Sequence, residues 1–348
     1  MKNTFGPIAL IGSGETSLAG GRIFEIIARQ FPPPLRIAIM ETPAGFESNS
    51  TKVARRVGDF LDNHLHNFNP QIVVIPALKR GEHFGTDDPE ILHPLIHADL
   101  IFMGPGSPTY AVRHLKGSLA WDLVRARHRM GAALVLASAA AIAIGDWILP
   151  VYEIYKVGED VSIMPGLNLF ADFNLPLSVI PHWNNKDGGD EVDTSRCYIG
   201  IERFNHWRGL LPSGHTTIGL DEHTGIIIDF CNGSCFVRGT SSVTLQRGTI
   251  SEIFPAGVEF PLRKLGEFQP PAESGTGISS SAMQMLKNTE ETISPNEAPV
   301  EVAQLIEKRE IARFYRKWAE ADILRKRIAD LGWLVQDTPE GQKIIRHS

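Results

Sequence analysis

Five short apolar runs constrain this chain more than any other feature: PIALIG (7–12), LRIAIM (35–40), QIVVIPA (71–77), DLIFMG (99–104) and AALVLA (132–137). Each is continuously apolar, as strands are when both faces of their sheet are covered. Helical candidates at 20–30, 50–64, 89–97 and 118–130 separate them. Strands alternating with helices predict a mostly parallel sheet in a three-layer α/β/α domain. With 348 residues the chain has room for one large domain or two smaller ones.

The last run continues as GAALVLASAAAIAIGDW (131–147), with one hydroxyl, Ser138, at its centre. Its charge-free core spans 13 residues, 132–144, shorter than the roughly 20 a membrane helix needs. Beside the other strands, AALVLA reads as a strand and the small residues after Ser138 as a helix ending near Gly145. Strand, serine, helix is the geometry of a nucleophile elbow, which presents the hydroxyl. Beyond residue 150, VYEIYKVG, PLSVIPH, TTIGLDE, GIIIDF, CFVRGT and SVTLQRG are short strand candidates. GLDEHTGIIIDF reads as a hairpin turning at DEHTG. This half is expected to complete the same domain and add an antiparallel edge.

A serine hydroxyl attacks a carbonyl only with a base to take its proton, an acid to orient that base, and donors for the oxyanion. His182, in VIPHWNN at the end of a strand run, is the candidate base. Glu153, in the VYEIY strand, is the candidate acid, with Asp172, Asp187 and Glu159 as competitors. The N–H of Ala139 follows the nucleophile, and Gly106 in MGPGSPTY offers a second oxyanion donor.

The composition, 43% hydrophobic and 21% charged with net charge −6, is that of a soluble globular protein and does not suggest a polyanion binder overall. Three cysteines, Cys197, Cys231 and Cys235, make no disulfide framework. The start, MKNTFGPIALIGSGET, lacks the long apolar region of a signal peptide, so a cytoplasmic setting is expected. Cys231 and Cys235 have no matching second pair, and no H-E-x-x-H occurs. Gly12-Ser13-Gly14-Glu15 lacks both dinucleotide spacing and a Walker lysine. No metal and no cofactor are expected.

In order along 7–248, the motifs resemble those of the serine peptidase family that contains cyanophycinase and the aspartyl dipeptidase peptidase E. The resemblance rests on Gly12-Ser13-Gly14-Glu15 after the first strand, Thr42-Pro43-Ala44 after the second, and the loop Gly104-Pro105-Gly106-Ser107. It continues through the elbow Leu136-Ala137-Ser138-Ala139-Ala140-Ala141, the segment Gly219-Leu220-Asp221-Glu222-His223-Thr224-Gly225, and CFVRGTSSVTL. It implies a fold like class I glutamine amidotransferases, with Ser138 as nucleophile, His182 as base and Glu153 as orienting acid. A small peptide-like substrate and a homodimer are further implications. This chain departs from the family in having Ala137 and Ala140 at the elbow, Pro105 and Pro108 in the loop, and added acidic residues in NNKDGGDEVDTSRCYIGIERF. These departures bear on whether the elbow is still active.

The domain is expected to span 1–265, with a Pro-, Ser-, Glu- and Gly-rich flexible linker at 266–299 and a helical appendage at 300–348. Val302, Leu305, Ile306 and Arg309 form one helical stripe, and Trp318, Ile323, Leu324 and Ile328 a second. Residues 302–348, with IEKREIAR, KWAEADILR and LGWLVQDTPEG, resemble the C-terminal segment of cysteinyl-tRNA synthetases. That resemblance implies tRNA contact, with Arg309, Arg313, Arg316, Lys317, Arg325 and Lys326 as candidates and Tyr315 or Trp333 to stack on bases. No other synthetase signature occurs, so cysteine activation is not expected. Two functions follow: a serine hydrolase, or an inactive scaffold displaying a tRNA-binding tail.

Overall fold

A computed structural model describes residues 5–82, 84–271, 275–292, 300–338 and 341–346. The chain divides into two compact units, 1–277 and 278–348.

In the first unit the five apolar runs form parallel strands β1 (Ile8–Ile11), β2 (Arg36–Met40), β3 (Gln71–Ile75), β4 (Leu100–Met103) and β5 (Ala133–Ala137). Between them lie α1 (Leu18–Ala28), α2 (Ser50–His64), α3 (Pro89–Leu92), α4 (Pro108–Leu115) and α5 (Leu119–Arg129). Their spatial order is β1-β5-β4-β2-β3. The chain moves outward from β1 to β2 to β3 and returns through β4 to β5. Right-handed crossovers therefore put α1 and α2 on one face and α3, α4 and α5 on the other. Ala9, Ile11, Ile37, Ile39, Phe102 and Val135 pack with Phe24, Ile27, Val57 and Leu61 of α1 and α2. The alternate residues Ile8, Leu10, Leu134 and Leu136 are fully buried on the opposite face. Covering both faces explains the unbroken apolar runs. At roughly 1.5–3 kcal/mol for each large apolar side chain buried, the sheet is the main source of stability.

The elbow helix α6 (Ala139–Ala143) follows β5, and β6 (Trp147–Ile148) pairs with β7 (Met164–Pro165). After β8 (Leu177–Ile180) come α7 (Gly200–Gly209), β9 (Thr216–Leu220), β10 (Thr224–Asp229), β11 (Ser234–Gly239), β12 (Ser242–Arg247), β13 (Ile250–Pro255) and β14 (Glu259–Pro261). Strands β10, β11 and β14 extend the main sheet antiparallel beyond β1, as expected of the second half. Strands β13-β12-β9-β8 form a second sheet of their own.

Two local expectations are corrected. TTIGLDE and GIIIDF do not form a hairpin: β9 pairs with β8 and β12, whereas β10 pairs with β1 and β11. Residues 221–223 carry the chain from one sheet to the other. VYEIYKVG is not a strand but a π-helical turn, Glu153–Val157. Pro150 presets a helical entry, with Ile154 N–H donating to its carbonyl at 3.2 Å, and Gly158 at φ 86° ends the turn.

The second unit contains α8 (Ser280–Thr292), α9 (Val300–Phe314), α10 (Trp318–Asp330), β15 (Trp333–Thr338) and β16 (Gly341–Arg346). The stretch expected to be a linker thus holds a helix, α8, which buries Ala282 and Leu286 one turn apart; its residues 272–274 and 293–299 lie outside the described residues. The appendage is not purely helical, because LGWLVQDT and GQKIIR pair as an antiparallel hairpin. Val302, Leu305 and Ile306 pack with Ile328, Trp333 and Val335. Of the second expected stripe, Ile328 is buried and Leu324 packs against the same cluster, whereas Trp318 and Ile323 are exposed at 57% and 67%; Ala321 is buried as well.

Candidate active site

The carboxyl ends of the parallel strands, where ligands gather in open α/β sheets, are aligned by register: Ile11 beside Ala137, Met103 beside Leu136, and Met40 beside Met103. The loops that follow these residues are therefore neighbours. Ser138 begins the turn after β5 with φ 51° and ψ −116°, a conformation rare outside glycine that costs about 1–3 kcal/mol. Its N–H donates to Ile11 O at 3.1 Å, tying the strained turn to β1. From Ala132 to Gly145, Ser138 alone is not buried. The elbow expected from the sequence is present.

Ser138 Oγ lies 3.0 Å from His182 Nε2. His182 Nδ1 lies 3.1 Å from Glu222 Oε1, which also accepts from Asn185 Nδ2 at 2.9 Å. A carboxylate on Nδ1 holds the proton there and leaves Nε2 free to accept the serine proton. Asn184 Oδ1 accepts from the Glu222 N–H at 2.8 Å and fixes that backbone. His182 itself has φ 50°. Its carbonyl accepts the Asn185 and Cys197 N–H groups, at 3.2 and 3.1 Å. The Tyr198 ring lies 5.2 Å from the imidazole. Burial pushes the Tyr198 hydroxyl up to about 12 and the Cys197 thiol likewise to about 12. Both stay protonated beside the histidine at neutral pH.

The acid on the histidine is thus Glu222, not Glu153. Glu153 instead accepts from Thr109 Oγ1 at 2.7 Å. Of the competitors, Asp172 is engaged by Arg125 and Arg129 at 2.5 and 2.7 Å, and Asp187 and Glu159 are exposed. Strand pairing, not its sequence neighbours, brings Glu222 to the histidine. β8 and β9 are parallel neighbours, with Ile180 beside Gly219; His182 and Glu222 each stand two residues past the end of their strand.

The two oxyanion candidates, Ala139 and Gly106, follow β5 and β4. Ala139 opens α6, where first-turn N–H groups lack intrahelical partners. Gly106, at φ 149°, is pressed on Pro43: a Cβ there would lie 1.9 Å from the Pro43 carbonyl oxygen. Only glycine fits that approach. Ser107 N–H donates to the same oxygen at 2.8 Å.

In the second unit the basic residues named for RNA contact separate into two groups. Arg309 is 2% exposed and holds the Asp337 carboxylate with both terminal nitrogens, at 2.9 and 3.0 Å. Arg313 also pairs with Asp337. Arg309 is therefore structural, because its place in the apolar stripe buries it. Trp333 is likewise buried. Lys317 pairs with Glu320 at 3.4 Å and, like Arg316, Arg325 and Lys326, is exposed. Among the described residues no helix is long and apolar enough to cross a membrane.

Residues 296–344 match the family described as cysteinyl-tRNA ligase anticodon binding domain. Cysteine–tRNA ligase of Chlamydia abortus is 49% identical over 51 residues, 15% of this chain and 11% of that protein. The ligase of Methanosarcina mazei is 50% identical over 48 residues, 14% of this chain and 10% of that protein. The chain therefore spans about a tenth of the length of these relatives. A solved peptidase from an acI-B1 Actinobacterium shares the fold, with TM-score 0.59 and 20% identity, over 74% of this chain and 98% of that one. A putative peptidase E protein from Listeria monocytogenes aligns over 71% of this chain at TM-score 0.45 and 16% identity.

Proposed function

We propose that this protein is a serine hydrolase, a peptidase or amidase that cleaves a small peptide-like substrate with Ser138 as nucleophile, His182 as base and Glu222 as orienting acid. The observation that carries this reading is the linear chain Ser138 Oγ, His182 Nε2, His182 Nδ1, Glu222 Oε1, with contacts of 3.0 and 3.1 Å, at a strained, half-buried elbow. The fold shared with a peptidase supports it.

In the first step Ser138 Oγ attacks the scissile carbonyl as its proton passes to His182 Nε2. Glu222 stabilises the imidazolium through the Nδ1–H. The N–H groups of Ala139 and Gly106 receive the oxyanion. His182 then gives its proton to the departing nitrogen. Water, deprotonated by the same histidine, releases the acyl group and restores the serine. The test is labelling of the full chain with an alkyl fluorophosphonate, together with digestion of a peptide library. Adduct at Ser138 and cleavage are expected; an unlabelled protein that cleaves nothing refutes the proposal. Three free thiols suit a cytoplasmic setting.

A second reading concerns the C-terminal unit alone: it contacts tRNA through the exposed Arg325 and Lys326, with Tyr315 exposed for stacking. The match of residues 296–344 to an anticodon-binding family favours it. Gel-shift titration of tRNA against the full chain and an Arg325→Glu/Lys326→Glu variant should show at least about tenfold weaker binding by the variant. Equal binding by both, or none, removes this reading.

A further inference from the structure

We propose that Glu153 is a positioning residue: through the hydroxyls of Thr109 and Ser107 it holds the Gly106 loop where an oxyanion must be received. This rests on the hydrolase reading above.

The loop between β4 and α4 has few donors to offer. Pro105 and Pro108 have no N–H, and the Ser107 N–H is already given to Pro43 O. Gly106 is left at the tip, so its N–H must be aimed by whatever fixes the loop. One side is fixed by backbone contact, the close approach of Gly106 to Pro43. The other side is fixed by a chain of hydroxyls. Ser107 Oγ and Thr109 Oγ1 are 2.8 Å apart, and Thr109 Oγ1 is 2.7 Å from Glu153 Oε1.

An ionised carboxylate only accepts, which sets the direction of every proton. Thr109 donates to Glu153, so its oxygen accepts from Ser107 O–H. Ser107 Oγ in turn accepts the Tyr110 N–H at 3.2 Å and caps α4. One acid thereby orients two hydroxyls and the first turn of the helix that follows the loop. Glu153 itself rides on the π-helical turn, a rare distortion that often marks functional positions. Its second oxygen, Oε2, is buried without a hydrogen-bond partner among the described residues. Leaving a buried carboxylate oxygen unpaired is costly, so fold stability alone does not explain an acid here. A fixed acceptor for the Thr109 hydroxyl beside the loop does.

The experiment measures the rate of fluorophosphonate labelling of Ser138 in the full chain, because the phosphoryl oxygen of the adduct occupies the oxyanion position. Glu153→Ala and Thr109→Val should each slow labelling about 10- to 100-fold, the effect of a misplaced donor. Thr109→Ser and Glu153→Gln, which keep a hydroxyl donor and an oxygen acceptor, should remain within about threefold of wild type. The double variant Glu153→Ala/Thr109→Val should be no slower than the slower single, since both cut one chain. Melting temperatures are measured alongside. Wild-type labelling rates in Glu153→Ala and Thr109→Val, with or without a lower melting temperature, overturn the positioning role while leaving the hydrolase reading intact. An unlabelled wild type overturns both.

Discussion

Ser138 and Ser178 each lie within hydrogen-bond reach of a histidine that faces a carboxylate. Ser138 is 3.0 Å from His182 Nε2, and Ser178 is 2.8 Å from His215 Nε2. Glu222 approaches His182 Nδ1 to 3.1 Å, but Asp146 comes only to 3.8 Å of His215 Nδ1. The larger difference is the location of the protons. Ser178 donates to Trp147 O, so His215 must hold its own proton on Nε2, and a nitrogen already protonated takes none from serine. His215 Nδ1 has no hydrogen-bond partner among the described residues, and burial lowers the histidine's affinity for a second proton. Ser178 is fully buried within β8, whereas Ser138 stands on a strained turn at the sheet's carboxyl edge. The same residue types at similar distances thus make a packing contact in one place and, in the other, the arrangement proposed for a nucleophile.

Substitution at the two serines should separate them most widely. Ser138→Ala is expected to abolish fluorophosphonate labelling, read by in-gel fluorescence. Ser178→Ala should label at the wild-type rate and lose about 1–3 kcal/mol of stability, seen by thermal melting, because two buried partners lose a hydrogen bond. Loss of labelling in a folded Ser178→Ala protein would break the distinction. Next in size come the acids. Glu222→Gln, which no longer holds the histidine's proton on Nδ1, should slow labelling about 10³- to 10⁴-fold. Asp146→Asn should leave the rate within a factor of about two, as expected of a residue 3.8 Å from a histidine that does no chemistry.

Acid sensitivity gives a smaller effect and sharpens the comparison between units. Burial holds His128 at about 4 and also lowers His215. An unfolded histidine binds its proton near pH 6.5. Between those values the unfolded chain carries more protons, so stability of the first unit falls as pH drops from about 6.5 toward 4. In the second unit the hydrogen bond from Arg309 holds Asp337 down at about 2. That contribution is complete above about pH 4, the range of a free aspartate, and is lost only as pH falls toward 2. Amide hydrogen exchange at pH 7, 5 and 4 should show protection weakening first in β1, β5 and α5, and little change in α9 and β15. Equal weakening of both units would contradict these assignments.

How much of this was legible follows from which contacts are local. The parallel strands and the elbow could be read because both faces of the sheet are buried and small residues follow Ser138. Helix α4 is hidden in the sequence because GPGSP reads as a loop, although Ser107 caps the helix and Pro108 begins it. Glu222 stands inside the GLDEHTG segment, whose sequence assigns it no catalytic part. DEHTG has the composition of a hairpin turn, and nothing local reveals that β9 and β10 pair in different sheets. VYEIY, rich in β-branched and aromatic residues, reads as a strand, but the tertiary setting outweighs that preference and makes it a π-helical turn. The burial of Arg309 depends on a hairpin that brings Asp337 back from 28 residues away, a distance that helical periodicity does not cover.

The three-residue passage from β9 to β10 acts as a caliper. Ser138 belongs to one sheet and His182 to the other, and residues 221–223 are a short covalent span between the two with Glu222 at its centre. An inserted residue there would let the sheets slide and would rotate the acid off the imidazole together. Length changes in exposed turns such as 231–233 are open to the chain; at 221–223 they would put the gauge of the site out of true.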